Sequence, residues 1–467
     1  MVFSSLEFIF RFLPVFLIVY YMVPPRFRNL VLFLGSIAFY SFGDPHYLIL
    51  IFLSVIVNQF AAVKIKRREK EQGRKKAWLI FALVYNFGML FFFKYINFTI
   101  ENVNALFPSI SLDMKIAPLA FGLPLGISFY SFHAVSYVID VYRGEIQGNL
   151  SLFEFGTYLF LFPKLVSGPI IPYGDIKDQL HNRKYGSFEL ERGVKLFTIG
   201  LGMKVLLANR IGTLWNDIQT IGFQSISTPL AWLGALGYSL QLYFDFYGYT
   251  LMAMGIGRML GFHLPNNFNH PYMAGSVTEF WRRWHITLGK WLKDYVYIPL
   301  GGNRKGKARL AFNLLLVWLF TGLWHGAGWN FVLWGLTLFA LILLEKLYLK
   351  PFLDKWSIFA RLYMLLVIPI TWMFFAIRNP KDICTYFGRM FGTVPGINVN
   401  AADIAKYFGQ YRWLLLAGIF FCFPYGQRWF AKYKNSIFCT VLLFLVFWFS
   451  VYQLANGINN PFMYFRF

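Results

Sequence analysis

The chain has 467 residues, of which 57% are hydrophobic and only 14% charged, and its mean hydropathy is +0.51. This composition excludes an ordinary soluble domain of the same size and indicates a protein that lies in a lipid bilayer. The formal net charge is +23, but Lys and Arg lie between the apolar stretches, so they indicate membrane topology and contact with anionic lipid rather than binding to nucleic acid.

Apolar stretches of about 20 residues, the length that crosses the hydrocarbon core as a helix, recur along the chain. They include 7–24, 45–63, 77–95, 328–344 and 435–453. With shorter stretches included, we expect roughly 11 to 13 spans or part-spans. The alternating pattern of lipid-facing barrel strands is absent. The predicted fold class is therefore all-α, a polytopic integral membrane protein with transmembrane or re-entrant helices and additional amphipathic helices at the interface.

The clearest marker of topology is the loop Lys64–Lys76, which holds eight Lys or Arg residues and two Glu. Short loops rich in Lys and Arg remain in the cytoplasm. Counting back through spans 7–24, 30–42 and 45–63 places the N-terminus on the extracytoplasmic side. The loop 101–116, which carries little positive charge, is expected on that same far side.

We expect a single membrane-embedded domain over residues 1–467. It divides into amino-terminal spans (1–116), a core with the candidate catalytic residues (117–345) and carboxy-terminal spans (346–467). In the core, the segments 117–141, 152–172 and 229–260 contain Gly, Pro and polar residues in apolar surroundings, which favours broken or re-entrant helices that line a cavity. The polar residues concerned are Asp140, Lys164, Gln241 and Asp245.

A second basic segment, 281–309, is expected at the cytoplasmic face. Trp281, Trp284 and Trp291 alternate there with cations at a spacing typical of a helix that lies along the interface rather than across the membrane. From residue 282 onward its charged residues are eight cations and one acid, namely Arg282, Arg283, Lys290, Lys293, Arg304, Lys305, Lys307, Arg309 and Asp294.

His325 lies in an almost uncharged run, LLLVWLFTGLWHGAGWNFVLWGL. A titratable side chain in lipid needs protein partners or a water-filled cavity, and such residues are usually functional. Loss of surrounding water favours neutral imidazole, the form that accepts a proton from an attacking hydroxyl. His325 is therefore a candidate general base, and the alternative is a hydrogen bond to a neighbouring helix. Gly322, Gly326 and Gly328 remove side-chain bulk around it, so another backbone or a thin substrate can approach closely.

His285 lies on the basic segment beside Arg282 and Arg283, whose guanidinium groups can hold a phosphate-bearing donor. Because Arg and Trp are also routine interfacial anchors, an anchoring role is the alternative. Asp245 has two possible roles, as a polar group in the cavity or as a packing hydrogen-bond partner. The sequence contains no metal-ligand spacing, phosphate-binding loop or nucleophile elbow.

Two long motifs then become recognisable, FNHPYMAGSVTEFWRRWHITLGKWLKDYVYIPLGGNR and NLLLVWLFTGLWHGAGWNFVLWG. Together they resemble the signature region of bacterial membrane-bound O-acyltransferases, specifically the alginate O-acetyltransferase branch. The resemblance extends over most of the chain, through MVFSSLEFIF at the start, LPLGISFYSFHAVSYVIDVYRG at 123–144, FPKLVSGPI at 162–170 and LQLYFDFYGYTLMAMGIGRMLGF at 240–262.

This resemblance implies that His325 is catalytic and that His285 is the second histidine of the site. It also implies a thin central region, where a cytoplasmic acyl donor and an extracytoplasmic acceptor approach one histidine from opposite faces. Residues expected to bind substrate are Trp324, Asp245, Trp281, Arg282 and Arg283. If this donor route is correct, the two histidines must line one continuous passage.

The expected reaction takes an acetyl group from acetyl-CoA or another acyl thioester, with no bound cofactor or metal, to an extracytoplasmic polysaccharide or peptidoglycan. The expected location is the bacterial cytoplasmic membrane, with membrane lipid and a periplasmic or cell-surface acetyltransferase as partners. One alternative is an exporter of D-alanyl or other acyl groups that uses a carrier-protein donor. A more distant alternative is a transporter or flippase, in which His325 relays protons.

Overall fold

A computed structural model describes residues 2–108, 114–183, 185–304 and 306–457. Asp113 of the loop 101–116 and Lys305 of the basic segment lie outside these residues. Throughout the described part of the chain the regular structure is helical, without strands. The residues pack into two compact units, Met1–Val194 with Ala253–Pro265, and Lys195–Met252 with Asn266–Phe467. The predicted division at residues 116 and 345 stays a prediction.

The first unit begins with a π-helical turn, Phe8–Phe12, that continues directly into the first α-helix. Its helices are α1 (Leu13–Met22), α2 (Arg28–Gly43), α3 (Leu48–Arg67), α4 (Gln72–Leu106), α5 (Ile127–Arg143), α6 (Leu152–Phe160), α7 (Phe162–Leu165), α8 (Tyr173–His181), the first half of α9 (Ser187–Gly202) and the last turns of α11 (Thr228–Met259).

The second unit contains the candidate site. Besides the remainder of α9 and α11, its helices are α10 (Asn209–Ile221), α12 (Val277–Arg283), α13 (Ile286–Leu292), α14 (Gly306–His325), α15 (Trp329–Leu344), α16 (Lys350–Lys355), α17 (Ser357–Ala376), α18 (Pro380–Phe391), α19 (Asp403–Cys422), α20 (Tyr425–Tyr433) and α21 (Ile437–Ala455). Among the described residues of this unit, three π-helical turns occur, at Met203–Ala208, Lys293–Tyr297 and Glu345–Leu349.

Six helices of the described chain are long and apolar enough to cross a membrane, and Phe8–Met22 is a shorter apolar helix. The six are Pro45–Arg67, Gln72–Leu106, Gly306–His325, Trp329–Lys355, Ser357–Ala376 and Ile437–Ala455. This confirms an all-α, multi-pass membrane protein. The larger number expected from the sequence included part-spans.

Of the core segments predicted to be broken helices, one is broken and another is continuous. Segment 152–172 is broken as expected, because α6 ends at Phe160 and only the four-residue α7 follows before the chain leaves helical geometry. Segment 229–260 is not broken, since α11 is one continuous helix of 32 residues. Its glycines permit close packing instead: a β-carbon at Gly248 would lie 2.7 Å from the Gly200 carbonyl oxygen.

Candidate active site

His325 is the last residue of α14, where the chain turns through Gly326–Gly328 into α15. The two helices lie very close together. Gly322 has no space for a β-carbon because the Phe331 carbonyl oxygen lies against it, and a β-carbon at Gly335 would lie 2.5 Å from the Trp318 carbonyl oxygen. The expectation that glycine near His325 lets another backbone approach is therefore confirmed at Gly322.

Three aromatic rings surround His325, which is 6% exposed. The centroid of its imidazole is 4.9 Å from the ring of Trp324, 5.0 Å from Trp334 and 5.2 Å from Phe375. All three rings stand nearly perpendicular to the imidazole, an arrangement that aromatic groups favour. Together these contacts restrict the orientation of the imidazole.

His285 lies at a break between two short helices, α12 and α13, that sequence reasoning treated as one interfacial helix. That expectation was wrong, because the backbone at His285 adopts a left-handed conformation with φ 44° and ψ 53°. This conformation costs a residue other than glycine about 1–3 kcal/mol and is concentrated at functional sites. Trp284 and Trp291 are buried within the protein, and neither seven-residue helix is long enough to cross a bilayer.

The imidazole of His285 is 2% exposed. Neither of its ring nitrogens has a hydrogen-bond partner in another of the described residues. Burial lowers the pKa of this imidazole below its ordinary value, so the ring is neutral near pH 7, with one N–H donor and one acceptor nitrogen. It packs edge-on against Phe246 at 4.7 Å and against Trp324 at 6.0 Å. Trp324 thus contacts both histidines.

Both histidines line one cavity of about 480 Å³. One wall is a single face of α14, formed by residues three or four apart, namely Leu314, Trp318, Thr321 and His325. At 1.5 Å per residue this face extends for roughly 16 Å along the helix. The cavity is also lined by Trp281, Trp284 and Leu288. The two histidines therefore line the same cavity, and its use as a continuous passage for the donor stays a prediction.

Four cations border this cavity, and Arg282, Lys290, Lys293 and Lys346 are all exposed. Arg282 and Lys346 lie close enough to interact electrostatically. Among the residues described, no Asp or Glu lines the cavity. The arrangement combines a cationic rim, which attracts phosphate or another anion, with an apolar interior that ends at neutral imidazole.

Of the five residues predicted to bind substrate, only some line the cavity. Trp281 and Arg282 line the cavity, whereas Trp324 does not line it and contacts the rings of both histidines. Arg283 does not line it and forms a 2.6 Å ion pair with Glu279. Asp245 lies outside the cavity as well, in a buried ion pair with Lys204. The substrate contacts expected of Arg283 and Asp245 stay predictions.

Sequence reasoning missed Lys346 as a rim residue. It follows the apolar run 328–344 after Glu345, at a place where a lysine indicates the end of a span, and nothing in the pattern connects it with Arg282. Farther along the basic segment, the Arg309 guanidinium donates to the Leu300 carbonyl oxygen at 3.1 Å and does not line the cavity. The cations of the cavity are therefore a subset of the basic segment together with one residue from beyond it.

The apolar spans define a multi-pass membrane protein, and its second unit holds a cavity that is bordered by cations and lined by two buried histidines. The chain belongs to the membrane-bound O-acyltransferase family, whose sequence profile matches residues 37–387. It is therefore an integral membrane acyltransferase.

Two relatives are similar over most of the chain, and a third over less than half of it. A probable alginate O-acetylase of Pseudomonas putida is 34% identical and covers 100% of both chains. A peptidoglycan O-acetyltransferase of Helicobacter pylori is 36% identical over 84% of this chain and 80% of its own length. A teichoic acid D-alanyltransferase of Bacillus subtilis is 30% identical over 45% of this chain and 56% of its own. The relatives with the wider coverage support O-acetylation.

Proposed function

We propose that this protein takes an acetyl group from a cytoplasmic acyl thioester, most simply acetyl-CoA, and passes it across the membrane for O-acetylation of an extracytoplasmic polysaccharide or peptidoglycan. The observation that carries the proposal is the single cavity that joins a cationic rim to two buried histidines. The names of the relatives that cover most of the chain favour a glycan acceptor.

The donor enters with its phosphates at the rim, where Arg282, Lys290 and Lys346 provide positive charge. Guanidinium and ammonium groups form strong charge-assisted hydrogen bonds to phosphate oxygens. The apolar wall of Trp281, Trp284 and Leu288 accommodates the uncharged thioester arm. The acyl carbon thereby comes to lie near the histidines.

His325 acts as the general base. Its imidazole removes the proton from the hydroxyl of the acceptor, or of an intermediate carrier, as the hydroxyl oxygen attacks the thioester carbonyl carbon. The carbon–sulfur bond then breaks, and the departing thiolate takes the proton from the imidazolium. His285, whose ring nitrogens have no hydrogen-bond partner among the described residues, donates a hydrogen bond to the carbonyl oxygen as negative charge develops there.

The acetyl group leaves the membrane protein by transfer to a separate periplasmic or cell-surface acetyltransferase, which places it on the glycan. The protein itself lies in the bacterial cytoplasmic membrane with an extracytoplasmic N-terminus. The charge distribution favours this orientation, because the segment Lys64–Lys76, which covers the end of α3, the turn 68–71 and the start of α4, carries eight of the basic residues.

A second candidate is export of a D-alanyl group from a carrier protein, favoured by the similarity to a teichoic acid D-alanyltransferase over 45% of the chain. It uses the same cavity and a different donor. Membership of an acyltransferase family favours both candidates over a transporter or flippase.

Purified protein in lipid nanodiscs, incubated with acetyl-CoA that carries a label in its acetyl group and with envelope glycan as the hydroxyl acceptor, separates these possibilities. We expect the wild type to consume the thioester and the His325→Ala variant to leave it intact. Consumption of only a carrier-bound D-alanyl thioester would establish the second candidate, and normal acetyl-CoA consumption by His325→Ala would refute the proposed base. Mass spectrometry of envelope glycans from cells with and without the protein then identifies the acceptor through a missing acetyl ester.

A further inference from the structure

A short loop, Asn267–Asn269, connects to both sides of the helix break that carries His285. We name it the bracket loop. The Asn269 N–H donates to the Arg283 carbonyl oxygen at 2.9 Å, and the Ile286 N–H donates to the Asn267 carbonyl oxygen at 3.0 Å. Arg283 is the last residue of α12 and Ile286 the first of α13. The loop therefore holds both ends of the break through backbone hydrogen bonds.

The side chain of Asn267 adds a second connection. It is fully buried, and its amide oxygen accepts hydrogen bonds from the Thr287 N–H at 3.2 Å and the Thr287 hydroxyl at 2.7 Å. The first N–H groups of a helix have no partner within the helix and are normally satisfied by the side chain at the N-cap. In α13 the N-cap residue is His285, whose side chain makes no cap hydrogen bond. Asn267 caps this helix from outside.

This division of roles has a chemical consequence for His285. A histidine that capped its own helix would turn a ring nitrogen toward the backbone of α13. Because Asn267 supplies the cap, the imidazole is free to line the cavity instead. The ring of Phe268 packs edge-on against Trp284 with centroids 5.0 Å apart, which opposes relaxation of the left-handed backbone at the next residue.

We propose that Asn267 is a positioning residue, which holds His285 in its left-handed conformation and directs the imidazole into the acyl-transfer cavity. The inference rests on the proposed function for the role of His285 in the reaction, but the placement of the ring can be measured separately. Asn267 lines no part of the cavity itself, so its effect on the reaction must pass through His285.

The second unit offers a matched control in Asn313. Like Asn267 it is a fully buried asparagine, and its amide group donates to the carbonyl oxygens of Leu300 and Gly302 at 3.3 Å and 2.8 Å. These bonds stabilise the turn before α14 and involve neither histidine. General loss of stability should affect Asn267→Ala and Asn313→Ala alike, whereas loss of positioning should affect only the first.

The kinetic test uses full-length protein in nanodiscs with acetyl-CoA as donor. Misplacement of a catalytic group by about 1 Å costs about 100-fold in rate, so we expect Asn267→Ala to lower kcat by about 10- to 100-fold and to change the donor KM by less than about threefold. Asn313→Ala should keep both constants within about threefold of the wild type. In a His285→Ala background, Asn267→Ala should cause no further loss, because the two residues act as one unit.

Chemical modification measures the accessibility of the His285 ring independently of enzymatic activity. Diethyl pyrocarbonate modifies neutral imidazole, and mass spectrometry gives its rate at each histidine relative to the exposed His46. We expect His285 to be modified faster in Asn267→Ala than in the wild type or Asn313→Ala. If Asn267→Ala is not recovered as folded protein, Thr287→Val removes only the hydroxyl donor and should shift both readouts in the same direction by less.

The outcomes distinguish the positioning role of Asn267 from the proposed catalytic role of His285. Equal losses of kcat in the two asparagine variants, full additivity with His285→Ala, or an unchanged modification rate at His285 would overturn the positioning role. Wild-type activity of His285→Ala would overturn the proposed role of His285 in catalysis. In that case the modification rate still decides whether Asn267 places the ring.

Discussion

Two sets of buried polar groups lie in the second unit and differ in one respect. His285 and His325 face a cavity, whereas Lys204 and Asp245 face each other. Lys204 lies in the π-helical turn between α9 and α10, Asp245 lies on α11, and their side chains are 2% and 1% exposed. The ion pair does not line the cavity that the histidines share.

The surroundings of the ion pair explain the difference. Next to it, Gly200 and Gly248 bring two helix backbones so close that a β-carbon at either position would lie within 2.7 Å of the other's carbonyl oxygen. The packing leaves each charge compensated by its partner. An ionisable group at membrane depth is therefore not sufficient evidence of a site, and adjacent space for a substrate distinguishes the histidines from Lys204 and Asp245.

The sharpest test of this comparison is the loss of His325. We expect His325→Ala to lower acetyl transfer by at least about 100-fold, since general base catalysis contributes about 10²- to 10⁴-fold. The thermal unfolding midpoint should change little because a cavity already adjoins the ring. Initial rates of donor consumption and a thermal unfolding curve check the two statements. If His325→Ala turned over the donor normally, or lost activity only because it unfolded, the histidines would not differ functionally from the Lys204–Asp245 ion pair.

Part of this site could be predicted from the sequence. His325 is recognisable because a histidine in an uncharged run is rare, and Arg282 because cations cluster beside tryptophan. The choice between Arg282 and Arg283 could not be predicted. Adjacent residues on a helix point about 100° apart, and only the packing of α12 shows which of the two faces the cavity.

The helix break at His285 was also beyond sequence reasoning. The local sequence pattern favoured one continuous interfacial helix. Asn267, however, caps α13 by binding Thr287, which lies 20 residues later in the sequence. The backbone hydrogen bonds of the bracket loop also hold the break in place. Similarly, α11 contains glycines that suggested a broken helix, and tertiary packing against Gly200 keeps it whole. Contacts between distant residues override local propensity in both cases.

The next test concerns the ion pair. Lys204→Met leaves the Asp245 carboxylate buried without its cation, which typically costs about 3–5 kcal/mol of unfolding free energy. The double variant Lys204→Met/Asp245→Leu removes both charges, and we expect most of the stability to return. Denaturant titration of the detergent-solubilised protein measures both. A stable double variant that fails to bind donor would instead support the substrate contact predicted for Asp245.

A smaller effect should distinguish the two neighbouring arginines. Arg282 borders the cavity and Arg283 pairs with Glu279. We expect Arg282→Ala to raise the KM for acetyl-CoA about three- to tenfold, with kcat maintained, since one exposed charge-assisted contact to phosphate is lost and solvent screens part of its effect.

Arg283→Ala is the matched control and should change the donor KM by less than about twofold, because its ion pair is partly exposed. Raising the ionic strength should reduce the difference between wild type and Arg282→Ala, since salt screens the contact that the variant lacks. Equal effects of the two substitutions would mean that the donor contacts α12 from both sides.

The smallest expected effect comes from Glu345, a buried carboxylate at the start of the π-helical turn after α15. It accepts hydrogen bonds from the N–H groups of Val277 and Thr278 at 2.5 and 2.8 Å and from the Thr278 hydroxyl at 2.7 Å. Like Asn267 at α13, Glu345 satisfies the first N–H groups of α12 from a distant part of the sequence. It thereby connects the helix of Arg282 to the segment of Lys346.

Glu345→Gln preserves size but replaces one acceptor oxygen with an NH₂ group, which cannot accept from the helix N–H groups. We expect the donor KM to rise about two- to threefold, corresponding to less than about 1 kcal/mol, because Arg282 and Lys346 at the rim lose their fixed separation. The kcat should stay near the wild-type value, since α13 and its bracket loop are untouched. A lower kcat at unchanged KM would instead show that the cap on α12 acts on His285, three residues beyond Arg282, and that rim and histidine move together.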